Sequence, residues 1–338
     1  MKSTYGMKRQ RFSELTSLIK TKRVLVVGDV GVDRYTIGTA SRLSPEAPVP
    51  VLHVTSQTDK LGMAANVADN VRAFGATPVL ASLVGEDRVC EEFFSLLKAS
   101  GIEPNQIHKH KSRRTSLKER VIAQPQHIVR IDHELPLPLS AEAEKLFLDK
   151  TLPLLAHCDA VILEDYAKGV LTEVVLKTVI QEAMKLGRLV TTDPTTIVRR
   201  PADYKGVSLF KPNRDEASRL SGIEIKDSES LNKAGEFLLD EVGASMVVIT
   251  QGSAGMTLFT RGEKPVTIPT FARAVYDVSG AGDTVIAMLT LGLACGASLA
   301  ESAVLANFAA GVEVGKQGTA TVTIAELEEY MNQFGALS

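Results

Sequence analysis

Six short apolar runs, rich in β-branched residues, recur along this 338-residue chain, and each stops abruptly at polar residues. Val24 to Val27 ends in Gly28-Asp29, Pro78 to Val84 in Gly85-Glu86-Asp87, and Ala160 to Leu163 in Glu164-Asp165. Leu189 to Thr192 ends in Asp193-Pro194, Val207 to Phe210 in Lys211-Pro212-Asn213, and Met246 to Ile249 in Thr250-Gln251-Gly252. Runs this apolar suit strands covered on both faces. Most lead into helix-like segments, and that alternation predicts an α/β fold, doubly wound, with a mainly parallel central sheet and helices on both faces. Ligands of such sheets bind beyond the carboxyl ends of the strands. The six ends are therefore expected to carry acids, Lys211, Asn213 and a Thr-Gln-Gly to one edge. Turn chemistry explains polar residues at these junctions, but not why acids predominate.

Two segments break the alternation. Residues 35–60 and 106–134 lack helical periodicity and contain half-polar extended stretches such as Val49-Pro50-Val51-Leu52-His53-Val54 and His127-Ile128-Val129-Arg130-Ile131. They predict a small separate β-sheet, leaving 1–34, 61–105 and 135–338 as the α/β core. A small sheet with an apolar face needs a partner. It is expected to close over the site as a lid or to pair with a second copy in a homodimer. Near the start, Phe12, Leu15, Leu18 and Ile19 recur at helical spacing and predict an amphipathic helix.

Composition narrows the class. With 44% hydrophobic and 23% charged residues there is ample material for a core. A net charge of −2 argues against a nucleic-acid or anionic-membrane coat. No apolar run reaches the roughly 20 residues that span a bilayer, and residues 1–22 hold no signal-peptide stretch. Cys90, Cys158 and Cys295 are widely spaced without a CxxC, as expected of reduced thiols in a cytoplasm.

One helix mouth carries chemistry. Val278-Ser279-Gly280-Ala281-Gly282-Asp283-Thr284 lies between an expected extended run, Arg273 to Val278, and an apolar helical run, Val285 to Leu293. Glycines there allow a tight bend that turns successive N–H groups, with the positive end of the helix, toward one anion. A carboxylate beside an anion site fits a base that takes a proton from an attacking hydroxyl. A Gly-rich turn capped by Asp283 fits the same residues.

Other stretches also read two ways. Gly28-Asp29-Val30-Gly31-Val32-Asp33 is not GxGxxG, and no Walker sequence occurs, so a dinucleotide fold is poorly supported. Asp29 and Asp33 can accept hydrogen bonds from a polyol or can cap a turn. Gly62-Met63-Ala64-Ala65-Asn66 opens a helix, either for ligand approach or for tight packing. Asn213 and Glu216 form a capping box, or hold magnesium and its waters. The basic run Lys109, His110, Lys111, Arg113, Arg114, Lys118 and Arg120 reads as a solvated edge, with one or two members available to an anionic substrate. Arg42 and Lys168 are comparable candidates.

These marks stand in one known order. Gly28-Asp29 with Asp33, Gly62 to Asn66, Asn213-x-x-Glu216, Thr250-Gln251-Gly252 and Asp277 to Asp283 resemble the ribokinase-like carbohydrate kinases over roughly residues 23–334. The resemblance implies ATP-dependent phosphorylation of a sugar hydroxyl with Mg²⁺, with Asp283 as base and Gly280, Ala281 and Gly282 as anion hole. It implies nucleotide contacts from Asn213, Arg214, Asp215, Glu216, Thr250, Gly252 and Asn307, with Asn213 and Glu216 near magnesium through water. Substrate contacts are expected at Asp29, Asp33, Arg42, Gly62, Asn66, Lys168 and Asp193, and a potassium ion at Asp277.

Within the family, Ser41-Arg42-Leu43-Ser44-Pro45-Glu46-Ala47-Pro48-Val49-Pro50-Val51, Asp165-Tyr166-Ala167-Lys168-Gly169 and Gly315-Lys316-Gln317-Gly318-Thr319 resemble the heptose-7-phosphate kinases of lipopolysaccharide-core precursor synthesis. That branch implies transfer to C1 of D-glycero-D-manno-heptose 7-phosphate. Three departures stand out. Met63 replaces a usual glycine, and is expected to narrow the sugar pocket or stiffen a hinge. Thr195-Thr196 replaces a usual Lys-Gly. No nucleotidyltransferase half follows, so any second activity is expected to need another chain. A kinase of fructose, ribose or adenosine, a silent sugar- or nucleotide-binding regulator, and a nicotinamide-dependent oxidoreductase are the competing readings.

Overall fold

The apolar runs become neighbours in one nine-stranded sheet. The computed structural model describes residues 5–123, 126–272 and 275–338. Its strands are β1 (Arg23–Gly28), β2 (Val30–Leu43), β3 (Pro50–Met63), β4 (Thr77–Val84), β5 (Ile107–Lys109), β6 (Ser116–Ala123), β7 (Gln126–His133), β8 (Ala160–Glu164), β9 (Leu189–Asp193), β10 (Leu209–Phe210), β11 (Met246–Thr250), β12 (Met256–Thr260) and β13 (Val266–Ile268). Its helices are α1 (Arg9–Ile19), α2 (Ala64–Ala73), α3 (Arg88–Ser100), α4 (Ala141–Thr151), α5 (Glu173–Lys185), α6 (Arg214–Ser221), α7 (Ser228–Val242), α8 (Ala281–Ala294), α9 (Leu299–Glu313) and α10 (Ile324–Gln333).

The main sheet runs β13-β12-β11-β10-β9-β8-β1-β4-β5. It is parallel from β11 to β5, and β12 and β13 form an antiparallel edge. Two apolar layers cover it. One draws on α1, α2, α3, α8, α9 and α10, the other on α4, α5, α6 and α7. From β1 the chain moves outward to β4, then returns to β8 on the other side. The strand order thus reverses between β1 and β8, which opens a crevice above their carboxyl ends. Helix α8 is buried around nearly its whole circumference from Asp283 to Gly292, as its unbroken apolar run requires. In α1, Phe12, Leu15 and Ile19 are buried as the spacing predicts, while Leu18 stays exposed. Among the described residues, no helix is long and apolar enough to cross a membrane.

The second sheet has four strands in the order β3-β2-β6-β7. A single residue, Asp29, separates β1 from β2, so this sheet is hinged directly to the central strand. Its strands occupy 30–63 and 116–133, against the expected 35–60 and 106–134. Residues 107–109 instead extend the main sheet beside β4, with Ile107 opposite Ser82. An extended stretch with one buried residue does not reveal in advance which sheet it joins. The expected extended run before α8 is also corrected. Val275 to Val278 forms no strand, and Arg273 and Ala274 lie outside the described residues.

Candidate active site

The site begins at the mouth of α8. Gly280 is its N-cap, with φ at +93°, a conformation that favours glycine. A Cβ there would lie 3.0 Å from Asn66 Nδ2 and 3.2 Å from Glu313 Oε1. The amides of Ala281, Gly282 and Asp283 belong to the first turn, which a helix cannot satisfy internally. That of Ala281 reaches only Val278 O, at 3.4 Å. The cradle is therefore open to an anion and sits at the positive end of the helix.

Asp283 stands in the same turn and is 5% exposed. Its carboxylate accepts hydrogen bonds from Asn66 Nδ2 at 2.6 Å and from the Tyr166 hydroxyl at 3.2 Å. Burial, reinforced by the Asp193 charge, raises its pKa to about 7, against the lowering effect of Asn66. A carboxyl poised there can exchange a proton near neutral pH.

Parallel strand ends supply the surroundings. Glu164 ends β8, Asp193 ends β9, and their carboxylates lie with that of Asp283 inside a 4.8 Å cluster. Lys211, just past β10, donates to Asp193 at 2.6 Å and offsets part of this charge. Burial and the neighbouring acids push Glu164 well above the usual carboxylate range. Its Oε2 is buried without a partner. An acid cluster with one lysine and an orphaned oxygen matches the donor set of a hard divalent cation. Asn213 and Glu216 form the capping box that opens α6. Glu216 is raised to about 7, chiefly by burial and Asp193. The box uses only Glu216 Oε2, at 2.7 Å from Asn213 N, so the other oxygen is available to a metal-bound water.

These groups line one cavity of about 900 Å³. It holds Lys168, Asp193, Asn213, Glu216, Thr250, Gly252, Asn307 and residues 280–283, all candidates from sequence. Asn307 also secures the wall, accepting from Phe271 N and donating to Pro269 O. Met256, Ala310, Gly311 and Val314 give one flank an apolar surface.

Other candidates lie elsewhere. Arg42 is exposed at the far end of β2, opposite Val51, and does not reach the cavity. Arg214 turns to Ile225 O at 2.6 Å, and Asp215 is exposed; on a helix, residues adjacent to Glu216 cannot share its face. Asp277 accepts Ser279 N and Gly318 N and serves as a clasp between two loops. Asp29 is buried and accepts Lys168 N and Val170 N, so it holds the loop after β8. Asp33 pairs with Arg120 at 2.6 Å, and Gly62 packs against Asp33. Asn66 acts through Asp283. Glu86 and Asp87 do not join the acid cluster, because Asp87 caps α3 and holds Thr115 N.

Met63 does not line the cavity. It precedes α2 at φ 57° and ψ −136°, a strained backbone for any residue but glycine. Its methyl group lies against Gly31 in β2, so it bears on the hinge and does not narrow the pocket. Thr195 does line the cavity, and its loop is anchored where Tyr204 and Arg199 meet Asp165.

Sequence reasoning under-weighted three residues. Tyr166 is adjacent to the Asp165 strand end. Lys118 was one of seven basic residues without a distinguishing mark; it lines the cavity and sits over the Tyr166 ring at 5.1 Å. Glu313 had a signal, a lone acid within the apolar Ala309 to Val314 stretch.

Comparison with known proteins bears on the family and the fold. The family model described as pfkB family carbohydrate kinase matches residues 21–326. "Bifunctional protein HldE" of Wolinella succinogenes is 45% identical over 309 residues, covering 91% of this chain and 64% of that protein. The protein of the same name from Geobacter sulfurreducens is 44% identical over 324 residues, covering 95% and 65%. The chain thus spans just under two thirds of the length of these relatives. Arabidopsis thaliana ribokinase, solved with ribose and ATP, superposes with a TM-score of 0.74 at 20% identity over 92% of this chain and 98% of that one. Phosphofructokinase-2 from Escherichia coli, solved with potassium, gives 0.74 at 20% identity over 93% and 99%. Likeness at that identity is one of fold.

Proposed function

Because the chain belongs to the pfkB family of carbohydrate kinases and is an ATP-dependent sugar kinase, we propose that it phosphorylates C1 of D-glycero-D-manno-heptose 7-phosphate. One observation carries the chemistry: the Asp283 carboxylate stands in the same turn as the open amides of α8. The heptose assignment is supported by the HldE relatives and by two lysines, Lys118 and Lys168, on the cavity wall.

Each step has a residue. The nucleotide lies along Asn213, Glu216, Thr250, Gly252 and Asn307, with its base toward the apolar flank. The sugar approaches Asp283, whose carboxylate Asn66 and Tyr166 orient. Asp283 takes the proton from the C1 hydroxyl as its oxygen attacks the γ-phosphorus and the bond to the ADP oxygen breaks. First-turn amides stabilise the charge on the transferred group without reorganising. Magnesium, when bound by Glu164 and Asp193 and through water by Glu216 and Asn213, supplies charge neutralisation of the phosphates. Each Asp277 oxygen accepts one amide as a loop clasp and keeps a lone pair that a potassium ion could use, and no step is routed through that ion. Lys118 and Lys168 receive the substrate phosphate.

Two further parts belong to the same reading. A homodimer forms through the small sheet, whose outer residues Val54, Val129 and Ile131 are exposed. The setting is cytoplasmic, in keeping with three free, buried cysteines. Only the kinase step is proposed, not the second activity of the bifunctional relatives.

The test is ATP consumption with magnesium against heptose 7-phosphate, unphosphorylated heptose, fructose, ribose and adenosine. Turnover that requires heptose 7-phosphate is expected. A higher kcat/KM for any unphosphorylated acceptor overturns the substrate, and no turnover with any of them favours a silent binding protein.

A further inference from the structure

Two side chains of the small sheet reach past the cavity to the loop behind the anion cradle. Lys60, on β3, donates from Nζ to Gln317 O at 2.8 Å and to Thr319 O at 2.6 Å. Tyr35, buried on β2, accepts Thr319 N at 3.0 Å through its hydroxyl. Its ring lies so close to Gly318 that a Cβ there would stand 2.7 Å away. The same turn is tied forward: Gly318 N donates to Asp277 at 3.1 Å, and the other Asp277 oxygen accepts Ser279 N at 2.9 Å. Ser279 precedes Gly280, the N-cap of α8. A continuous set of hydrogen bonds therefore runs from the small sheet through residues 317–319 and Asp277 to Ser279, the residue that leads into the cradle.

We propose that Lys60 and Tyr35 are positioning residues that set the anion cradle through the 317–319 turn and Asp277, so that phosphoryl transfer is geared to the position of the small sheet. None of the three side chains lines the cavity, so none acts by touching substrate. The anchoring is strong in kind. Lys60 is half-buried and its bonds are charge-assisted; burial pulls its pKa below the ordinary lysine value, and the charges of Asp277, Glu313 and Asp33 offset only part of that. Asp277 spends one oxygen on each loop, so moving either loop moves the other. Because Asp29 alone separates β1 from β2, any displacement of the sheet relative to the core would be carried to the cradle through these contacts. A cradle displaced by about 1 Å loses on the order of 100-fold in rate while the nucleotide still binds.

The inference rests on Asp283 and the cradle as kinase machinery, not on the identity of the sugar. It is tested in the full chain with Lys60→Met, Tyr35→Phe, Asp277→Asn, the Lys60→Met/Asp277→Asn double variant and Lys60→Arg. Lys60→Met is expected to lower kcat roughly 10- to 100-fold with the ATP Kd within about 2-fold of wild type. Lys60→Arg should recover most of that loss. The double variant should be no worse than the weaker single one, because both cut one path. Amides 279–283 should exchange hydrogen faster in Lys60→Met, a readout that needs no sugar. Additive losses, a change confined to KM, or unchanged exchange at 279–283 would overturn the proposal. Should Lys60→Met fold poorly, Tyr35→Phe, which removes one oxygen, decides by the same exchange measurement.

Discussion

The two ends of the cavity are built in different ways. The phosphoryl end rests on chain termini of regular elements: the carboxyl tips of β8, β9 and β11, and the first turns of α6 and α8. Each group is placed by the helix or strand end that carries it, even where, as for Asp283 with Asn66 and Tyr166, its hydrogen-bond partners come from elsewhere in the chain. At the sugar end, groups from distant stretches meet. Lys118 comes from β6, Lys168 from the loop after β8, and the hinge from Asp29 to Asp33 is held by Arg113 and Arg120. Rigid termini make an end that tolerates little change and does the bond making. Contacts between distant stretches build the other end, where the proposed substrate phosphate would bind.

The largest effect should come from breaking the rigid end. Replacing a general base costs about 10²- to 10⁴-fold in rate. Asp283→Asn can keep the bond from Asn66 on its amide oxygen, with its NH2 donating to the Tyr166 oxygen in a reversed bond, but cannot take a proton, so kcat should fall by that factor with ATP affinity preserved. The same carboxyl sets the pH dependence. Its pKa of about 7 means it is protonated, and idle, below that point. For wild type, kcat/KM should rise with pH up to about 7 and level off above it. A variant retaining more than a tenth of wild-type kcat, or a wild-type profile flat from pH 5.5 to 8, would remove Asp283 from its role.

An intermediate effect is expected at the end that carries Lys118 and Lys168. Lys118 is driven below its ordinary pKa by burial, which Asp33 and Glu134 counteract, and Lys168 pairs with Glu134. A phosphate entering between them gains hydrogen bonds to charged groups worth about 1.5–3 kcal/mol each. Lys118→Met should thus raise the KM for a sugar phosphate by about 10- to 100-fold, with kcat changed much less. The KM for ATP should stay put. Equal losses for both substrates, or none for the sugar phosphate, would mean that the two ends are not separate in function.

What the sequence disclosed follows the same division. The cradle and base are contiguous from Gly280 to Asp283, and the capping box spans Asn213 to Glu216, so local spacing sufficed to find them. The strand ends were equally legible, except Glu86-Asp87, where Asp87 caps α3. At the other end, position along the chain says little. Arg42 and Lys118 both lie on strands of the small sheet, and only the long-range register of β2 with β3 and β6 puts one far from the cavity and the other on its wall. Asp29 looked like a ligand group and instead accepts two loop amides. Residues 107–109 were extended as expected, but sheet membership is a tertiary choice.

The smallest effect concerns Glu313, where the two ends meet. It lies at the end of α9, fully buried, close behind Gly280 and within the influence of Lys60. Neither carboxylate oxygen has a well-formed hydrogen bond. Burial, with Asp283 and Asp277 adding to it, raises its pKa from 4.5 to about 8, although the Ala320 amide and Lys60 pull the other way. The unfolded chain releases this proton near 4.5, whereas the fold keeps it until about 8. Folding thus takes up a proton between those values, and stability falls as pH rises across the window. Below pH 4.5 the contribution is complete, and above about 8 it is gone. Glu313→Gln keeps the shape and loses the ionisation. Its melting temperature should exceed that of wild type by about 2 °C or more at pH 8.5, and the difference should shrink steadily toward pH 5. A difference that did not depend on pH, in either direction, would mean that Glu313 titrates alike in the folded and unfolded chain and is ionised in the fold at neutral pH. In that case the charge behind the cradle would be a fixed part of the path from the small sheet.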